Sequence, residues 1–232
     1  MVLVTTPAPG PGASGSVRAD TYSHNRFGYY VRNRTVPVNP NTARQQVVRS
    51  ALSQLTVRWS QTLTQDQRDA WDLYGESVAM KNAVGQTVYL TGFNHYIRSN
   101  VPLIQIGGTA TDDGPVIFEL PEADPTLAIT ASEAAQQIEF TFNNALAWAN
   151  ETGGWMFKYQ GKPQNPQRTF FGGPYRMLQA VAGDDETPPT SPEAQGVQFA
   201  IAEGQRQWAY CRIRRLDGRI SEPFSANILV GA

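Results

Sequence analysis

The residues best suited to chemistry near the start of the chain are arginines set among aromatic residues. The stretch from Asn25 to Gln46 reads NRFGYYVRNRTVPVNPNTARQQ. Guanidinium groups form bidentate pairs with carboxylates and phosphates, and aromatic rings stack on bases or fill protein interfaces. The stretch is therefore a candidate for contact with other subunits or with nucleic acid.

The distribution of charge favours subunit contact over nucleic-acid binding. Residues 1–60 contain seven arginines and one acidic residue, but the whole chain carries a net charge of -1. The chain has only three lysines, whereas proteins that bind phosphates through charge alone mix lysine freely with arginine. The expected partners are carboxylates of a neighbouring subunit, such as Asp66, Asp69, Asp72 and Glu76. The predicted interface residues are Arg26, Phe27, Tyr29, Tyr30, Arg32 and Arg34.

Three groups of neighbouring carboxylates raise the question of glycoside hydrolysis or calcium binding. They are Asp112 with Asp113, Glu122 with Asp124, and Asp184 with Asp185 and Glu186. Each group lies in a stretch rich in Pro, Gly or Thr, where solvated loop acids are the usual finding. None has the ligand spacing of an EF-hand loop, so we expect them to be surface acids.

The histidines and the cysteine are equally poor candidates for a reactive centre. His24 and His95 lie 71 residues apart, and Cys211 is the single cysteine, in the centre of a predicted strand. No Gly-x-Ser-x-Gly elbow occurs, and no glycine-rich loop precedes a lysine. The sequence therefore predicts a protein that is not an enzyme, with no catalytic residues, no cofactor and no metal.

One of the five tryptophans is a candidate for ligand binding. Trp148 lies in NNALAWANETGG, directly before a predicted turn. An indole exposed at such a place can stack on a sugar ring, since its flat face is apolar and its edge carries a donor. We therefore predict that Trp148 is exposed and forms a candidate ligand platform.

The elements that position these residues fall into four segments. Residues 1–41 are expected to form an extended arm with a hairpin around Arg26-Phe27-Gly28, because strand-like alternation flanks this point. Residues 42–106 are expected to form a small helical domain, a helical hairpin followed by a third helix. Residues 107–125 are expected to be a linker with one short strand, and residues 126–232 an antiparallel β-sandwich. The predicted fold class is α+β.

Local signals define the helices. TARQ from Thr42 and TQDQ from Thr64 are capping boxes, and Gly75 is a plausible left-handed stop for the second helix. A third helix is predicted to start at Thr91, run to about Asn100 and end at Pro102. The predicted buried face of the first helix contains Val48, Leu52, Leu55 and Trp59.

Seven short segments with alternating apolar residues follow residue 125, which is typical of a β-sandwich. They read TLAIT, QIEFTF, GWMFKYQ, YRMLQAVA, VQFAI, QWAYCRIRR and SANILV. The closing stretch YCRIRRLDGRISEPFSANILV resembles the last two strands of a fibronectin type III domain. This resemblance implies an immunoglobulin-like or fibronectin type III-like sandwich, although GKPQNPQRTFFGGPYRML is longer than the usual connection.

Residues 15–104 resemble a family of uncharacterised proteins common in tailed bacteriophages and prophages. The shared elements are Gly28 before Arg32 and Arg34, VPVNPNT from Val36, Gln46, Trp59, LT from Leu63, QR from Gln67, AW from Ala70, LTG from Leu90 and RSN from Arg98. The resemblance implies a phage origin, synthesis in the bacterial host cytoplasm and a structural role in the virion.

These observations predict a virion structural protein, for example a capsid decoration or cement protein, held by its N-terminal region with the sandwich projecting outward. The expected partners are the major capsid or tail protein and further copies of the chain, and neither nucleic acid nor a membrane is expected. No run of 18 apolar residues and no secretion signal occurs. The alternative is a protein of the tail or fibre that binds a host receptor or glycan.

Overall fold

A computed structural model describes residues 2–3, 14–26, 28–82 and 85–232. The chain divides into two compact units, Met1–Ala43 and Arg44–Ala232. Both are built from antiparallel sheets, and the second also contains helices, so the fold is of the mixed α+β type that the sequence predicts. None of the three helices in the described ranges combines the length and apolar character needed to cross a membrane.

The N-terminal unit contains one four-stranded antiparallel sheet. Its strands are β1 (Val2–Leu3), β2 (Gly15–Val17), β3 (Asp20–Asn25) and β4 (Gly28–Asn33), in the spatial order β1-β4-β3-β2. Asn25 lies opposite Gly28, so the predicted hairpin is confirmed. No side chain of β2, β3 or β4 is fully buried, and this sheet therefore has no core among the described residues.

The second unit begins with three helices and a small hairpin. The elements are α1 (Ala43–Gln61), α2 (Gln65–Ser77), β5 (Ala79–Lys81), β6 (Thr87–Tyr89) and α3 (Gly92–Gln105). The Thr64 hydroxyl accepts from the Gln67 N–H, and the Gln67 side chain accepts from the Thr64 N–H, which confirms the predicted capping box of α2. The helices share a core of Leu55, Leu63, Trp71, Tyr74, Val78 and Tyr96.

Two predicted helix ends are wrong. Gly75 lies inside α2, and its missing Cβ allows the carbonyl of Leu90 to approach the helix closely. Pro102 lies inside α3, which continues for three further residues. The last turn persists because Leu103 is buried there, and the chain turns away only at Gly107, whose φ is +81°.

Half of the predicted buried face of α1 is exposed. Leu55 is buried and Trp59 is half-buried, but Val48 and Leu52 are 40% and 45% exposed. The predicted periodicity is present, since these residues do recur at helical spacing. The buried residues of α1 are Ala51 and Leu55, so the side of the helix that packs inward is rotated from the predicted one.

Two further antiparallel sheets complete the second unit. Their strands are β7 (Ala128–Ser132), β8 (Gln137–Thr141), β9 (Trp155–Gly161), β10 (Tyr175–Ala182), β11 (Glu193–Gly196), β12 (Arg206–Arg214) and β13 (Phe224–Leu229). One sheet has the order β10-β9-β12-β13, and the other β11-β8-β7. Side chains of both sheets form one core, which includes Ile138, Phe140, Met156, Cys211 and Ile213.

One predicted strand is misplaced. VQFAI, residues 197–201, is not a strand, and β11 lies directly before it. The N–H groups of Gln198 and Phe199 donate to the buried side chain of Gln160, which in turn donates to the Phe199 carbonyl. A side chain therefore occupies the backbone groups that a neighbouring strand would otherwise bind.

The predicted division of residues 42–232 into separate helical and sandwich domains is not the division that the structure makes. Leu103 of α3 packs with Phe157, Met177 and Ile220, so the helix covers the outer face of the four-stranded sheet. Arg98 of α3 donates to the carbonyls of Ile220 and Ser221, both at 2.8 Å. The helices and both sheets thus form one compact unit.

Residues 107–125 are not a linker, and they contain no strand. The Asn100 side chain both donates to the carbonyl of Thr111 and accepts from its N–H. Asp112 accepts from Nε and Nη2 of Arg58, both at 2.6 Å, and its carbonyl accepts from the indole of Trp71. The segment is therefore fixed onto the helices along its first part.

Candidate assembly interface

The N-terminal sheet has two chemically different faces. Its register places Tyr22 opposite Val31 and His24 opposite Tyr29, and the rings of the second pair lie 5.8 Å apart. Opposed residues of antiparallel strands point to the same side. We call this side the aromatic face; its residues are Val17, Asp20, Tyr22, His24, Tyr29, Val31 and Asn33. The other side, which we call the polar face, comprises Ser16, Thr21, Ser23, Tyr30 and Arg32.

Solvent reaches the aromatic face. Val17 is 58% exposed and Tyr29 is 39% exposed, while Tyr22 and Val31 are half-buried. Apolar and aromatic residues arranged on one side of a sheet normally pack against a second layer. Among the described residues of this unit no such layer is present.

The arginines lie mainly at the ends of the sheet. Arg34 follows β4, and its N–H donates to the carbonyl of Ala19, so Arg34 and Arg18 share one end. Arg26 follows β3 at the opposite end. Within the described part of the chain, the guanidinium groups of Arg18, Arg32 and Arg34 make no hydrogen bond or ion pair. The sheet is thus an aromatic surface with cationic groups at its margin.

The six residues predicted as an interface do not form one patch. Strand alternation places Tyr29 on the aromatic face, and Tyr30 with Arg32 on the polar face. Phe27 lies outside the described residues. Tyr22 and Val31, which were not among the predicted interface residues, pair with each other across the hairpin and lie on the same face as Tyr29.

The prediction that Trp148 is exposed is wrong. Its side chain is 1% exposed and belongs to the core between the two sheets, where its ring lies 5.6 Å from that of Phe142. A buried indole cannot stack on a sugar. The residue does precede a turn, but the turn folds inward because the ring of Trp148 fills the end of the core.

The carboxylates raised by the sequence have structural roles. Asp113 accepts from the Gln67 side chain, and Asp124 accepts from the N–H groups of Thr126 and Asn143. Asp184 accepts from two backbone N–H groups that follow it. These bonds hold loops in place, and no group of three or more metal-ligating side chains occurs in the described ranges.

His95, Tyr74 and Cys211 are buried and are held in their uncharged forms. Burial, helped by the charge of Arg98, lowers the pKa of His95 to about 4. Burial also raises the pKa of Tyr74 to about 12 and raises the pKa of the Cys211 thiol. Neutral His95 and Tyr74 pack edge to face with their ring centres 4.9 Å apart, which is a packing arrangement and not an acid–base pair.

Lys158 is a charged residue that the sequence did not single out. It points from β9 into the core, with a fully buried side chain, and its ammonium donates to Glu193 at 2.7 Å. The same ammonium lies 5.2 Å from the ring centre of Phe140. This pair fixes β11 against β9, since a buried charge requires its partner.

A groove of about 710 Å³ lies between α1 and the residues after α3. Its lining contains small polar residues, such as Ser50, Ser53 and Thr109, and the aliphatic residues Leu55 and Ile104. The one charged residue that lines it, Arg58, is paired with Asp112. The groove therefore lacks the converging polar groups that mark most small-molecule sites.

No protein-family model matches the chain. No curated protein matches it either. Among solved structures, the chain is similar to the adhesin domain of Epf from Streptococcus pyogenes, with 13% sequence identity and a TM-score of 0.28. The similarity covers 48% of this chain and 32% of that one, so the chain spans about a third of the matched structure. A likeness at this TM-score supports no inference about fold or function.

Proposed function

We propose that this protein is a non-enzymatic structural component of a bacteriophage particle, most simply a capsid decoration or cement protein. Its N-terminal unit anchors it in the assembly, and its second unit projects from the surface. Its partners are the major capsid or tail protein and further copies of the chain. The resemblance of residues 15–104 to tailed-phage proteins motivates the proposed location.

The observation that carries the proposal is the N-terminal sheet. It has a formed hairpin, an aromatic face and arginines at its margin, yet no buried side chain among its described strands. Sheets are stable when one face is covered by another layer. A partner molecule is the direct source of such a layer, and that is what an assembly anchor requires.

We further assign residues 126–232 to the immunoglobulin-like and fibronectin type III-like sandwiches. Seven antiparallel strands are divided four and three between two sheets that share a core, and β11 crosses over to pair with β8. Such domains are frequent at surfaces that face other molecules, because their loops tolerate variation. The alternative role is the binding of a host receptor or glycan. Trp148 was the residue that supported this role, and its burial removes that support.

Mass spectrometry of purified particles tests the proposal. Particles are prepared from a lysate of the bacterium that encodes the chain, with the full-length protein, with a deletion of Met1–Pro37, or with a control variant. The control replaces the exposed Lys162 and Glu203 by Ala. We expect many copies per particle of the full-length and control proteins, and none of the deletion.

Two other outcomes would contradict part of the proposal. If the full-length protein is missing from particles, the assembly role is wrong. If the deleted protein still enters particles at the normal copy number, the protein is a particle component, but its anchor lies in residues 44–232.

A further inference from the structure

We infer that the partner of the aromatic face is a second copy of this chain, which binds it through helix α2. This inference rests on the proposed assembly role and names one partner within it. The contact is head to tail, since the sheet of one copy meets a different surface on the next.

The two units carry opposite net charge. Residues 1–43 contain four arginines and one aspartate, and no lysine. Because the whole chain carries -1, residues 44–232 carry -4. Two N-terminal sheets would repel each other, whereas the sheet of one copy is attracted to the second unit of another.

Helix α2 concentrates this negative charge around an apolar residue. Asp66, Asp69, Leu73 and Glu76 recur at helical spacing on one exposed stripe, with Asp72 beside it. Leu73 is 53% exposed, although it lies in the middle of the helix. None of the ion pairs in the described ranges includes these four acids. We call these five residues the acidic stripe.

The acidic stripe and the N-terminal sheet are complementary in pattern as well as in net charge. The sheet presents an aromatic centre, Tyr22, Tyr29 and Val31, with Arg18 and Arg34 at one end. The stripe presents an apolar centre, Leu73, flanked by carboxylates. Stable interfaces combine an apolar centre with a polar rim in this way, and arginine pairs with carboxylates in two-pronged geometry.

The test uses two charge-reversed forms of the full-length chain in sedimentation velocity. One carries Arg18→Glu with Arg34→Glu, and the other carries Asp69→Arg with Glu76→Arg. All four side chains are exposed, and circular dichroism confirms that each form is folded. A control carries Glu119→Arg with Glu186→Arg, which changes the net charge of residues 44–232 by the same amount as the second form.

We expect the wild type and the control to associate with rising concentration, and to do so less at about 500 mM than at about 50 mM salt. Each reversed form alone has a dissociation constant at least about tenfold higher, because like charges then meet. An equimolar mixture of the two reversed forms at low salt associates again, because arginines and carboxylates then face each other at both contacts.

Several results overturn the inference. They are a monomeric wild type at all concentrations, association of each reversed form alone that equals the wild type, or a mixture of the two that does not associate. A monomeric chain that binds a random-sequence DNA duplex, and loses this with Arg18→Glu and Arg34→Glu, assigns the sheet to nucleic acid. Protein that is abundant in particles but does not self-associate leaves the proposed function standing without this partner.

Discussion

Asp112 connects α1, α2 and α3 through its side chain and its carbonyl. Its carboxylate accepts from Arg58 and from the Tyr96 hydroxyl, while its carbonyl accepts from Trp71. The first of these bonds raises the pKa of Arg58. Replacing Asp112 by Ala leaves a half-buried guanidinium and a buried hydroxyl without their partner. We expect a loss of about 1–3 kcal/mol in the free energy of unfolding, measured by urea denaturation.

Asp113 provides a matched control for this prediction. It is the next residue, it has the same charge, and it is exposed, with a hydrogen bond from the Gln67 side chain. Asp113→Ala should change stability by no more than about 0.5 kcal/mol. Equal losses at the two positions would show that net charge, and not the bonds of Asp112, is responsible.

His95 makes the stability of the second unit dependent on pH. Its pKa is about 4 in the folded protein, because it is buried beside Arg98, and about 6.5 in an unfolded chain. Between about pH 4 and pH 6.5 the His95 ring binds a proton in the unfolded chain but not in the folded protein. The contribution of this ring to the free energy of unfolding is therefore highest above about pH 6.5 and falls as the pH decreases towards 4. The His95→Phe substitution removes this pH dependence.

The measurement is urea unfolding of the wild type and of His95→Phe at pH 7.5 and at pH 5. The wild type should lose up to about 2 kcal/mol more than the variant on acidification. His24→Phe, a substitution of the exposed histidine, serves as the control. A pH dependence that is the same with and without His95 would mean that the buried ring is not the source.

At the scale of single elements, α2 depends on its capping box. Thr64→Ala removes the acceptor for the Gln67 N–H, which has no partner within the helix. We expect a loss of about 1 kcal/mol in the free energy of unfolding. Thr62→Ala, two residues earlier, removes an exposed hydroxyl that makes no hydrogen bond within the described part of the chain, and should change stability by less than about 0.5 kcal/mol. An equal effect of both substitutions would remove the cap as the explanation.

The sequence was sufficient to locate most elements. The capping box at Thr64, the hairpin around residue 27 and six of the seven predicted sandwich strands depend on neighbours within a few residues. Alternation correctly placed Ile138, Phe140 and Phe142 on one face, and all three are buried. Local patterns of this kind are visible in a single sequence because the residues that cause them are close together.

The remaining features depend on contacts between distant residues. Residues 107–125 look like a linker, but Asp112 is fixed by Arg58, 54 residues earlier. VQFAI has the pattern of a strand, but Gln160 binds its backbone from 38 residues away. Trp148 was predicted to be exposed from the turn that follows it, whereas packing against Phe142 buries it. Which residues of the N-terminal hairpin share a face depends on the register between β3 and β4.

At the scale of the whole molecule, the cores of residues 44–232 are continuous. One buried cluster lies among the helices and one between the two sheets. A third joins them, because Leu103 of α3 packs on Phe157, Met177 and Ile220 of the sheet and its loops. Helices and sheets that share buried side chains stabilise each other, so opening one exposes apolar surface of the other.

We therefore expect residues 44–232 to unfold in one cooperative transition in calorimetry, and Leu103→Ala to lower its midpoint without dividing it. Loss of a buried leucine costs about 2–5 kcal/mol, which for a unit of this size lowers the midpoint by about 5–15 °C. Leu52→Ala in α1 is the control, because Leu52 is 45% exposed and its removal opens no cavity. Two resolved transitions in the wild type, or a Leu103→Ala protein in which only the helices melt early, would instead mean that the helices and the sheets are separate folding units.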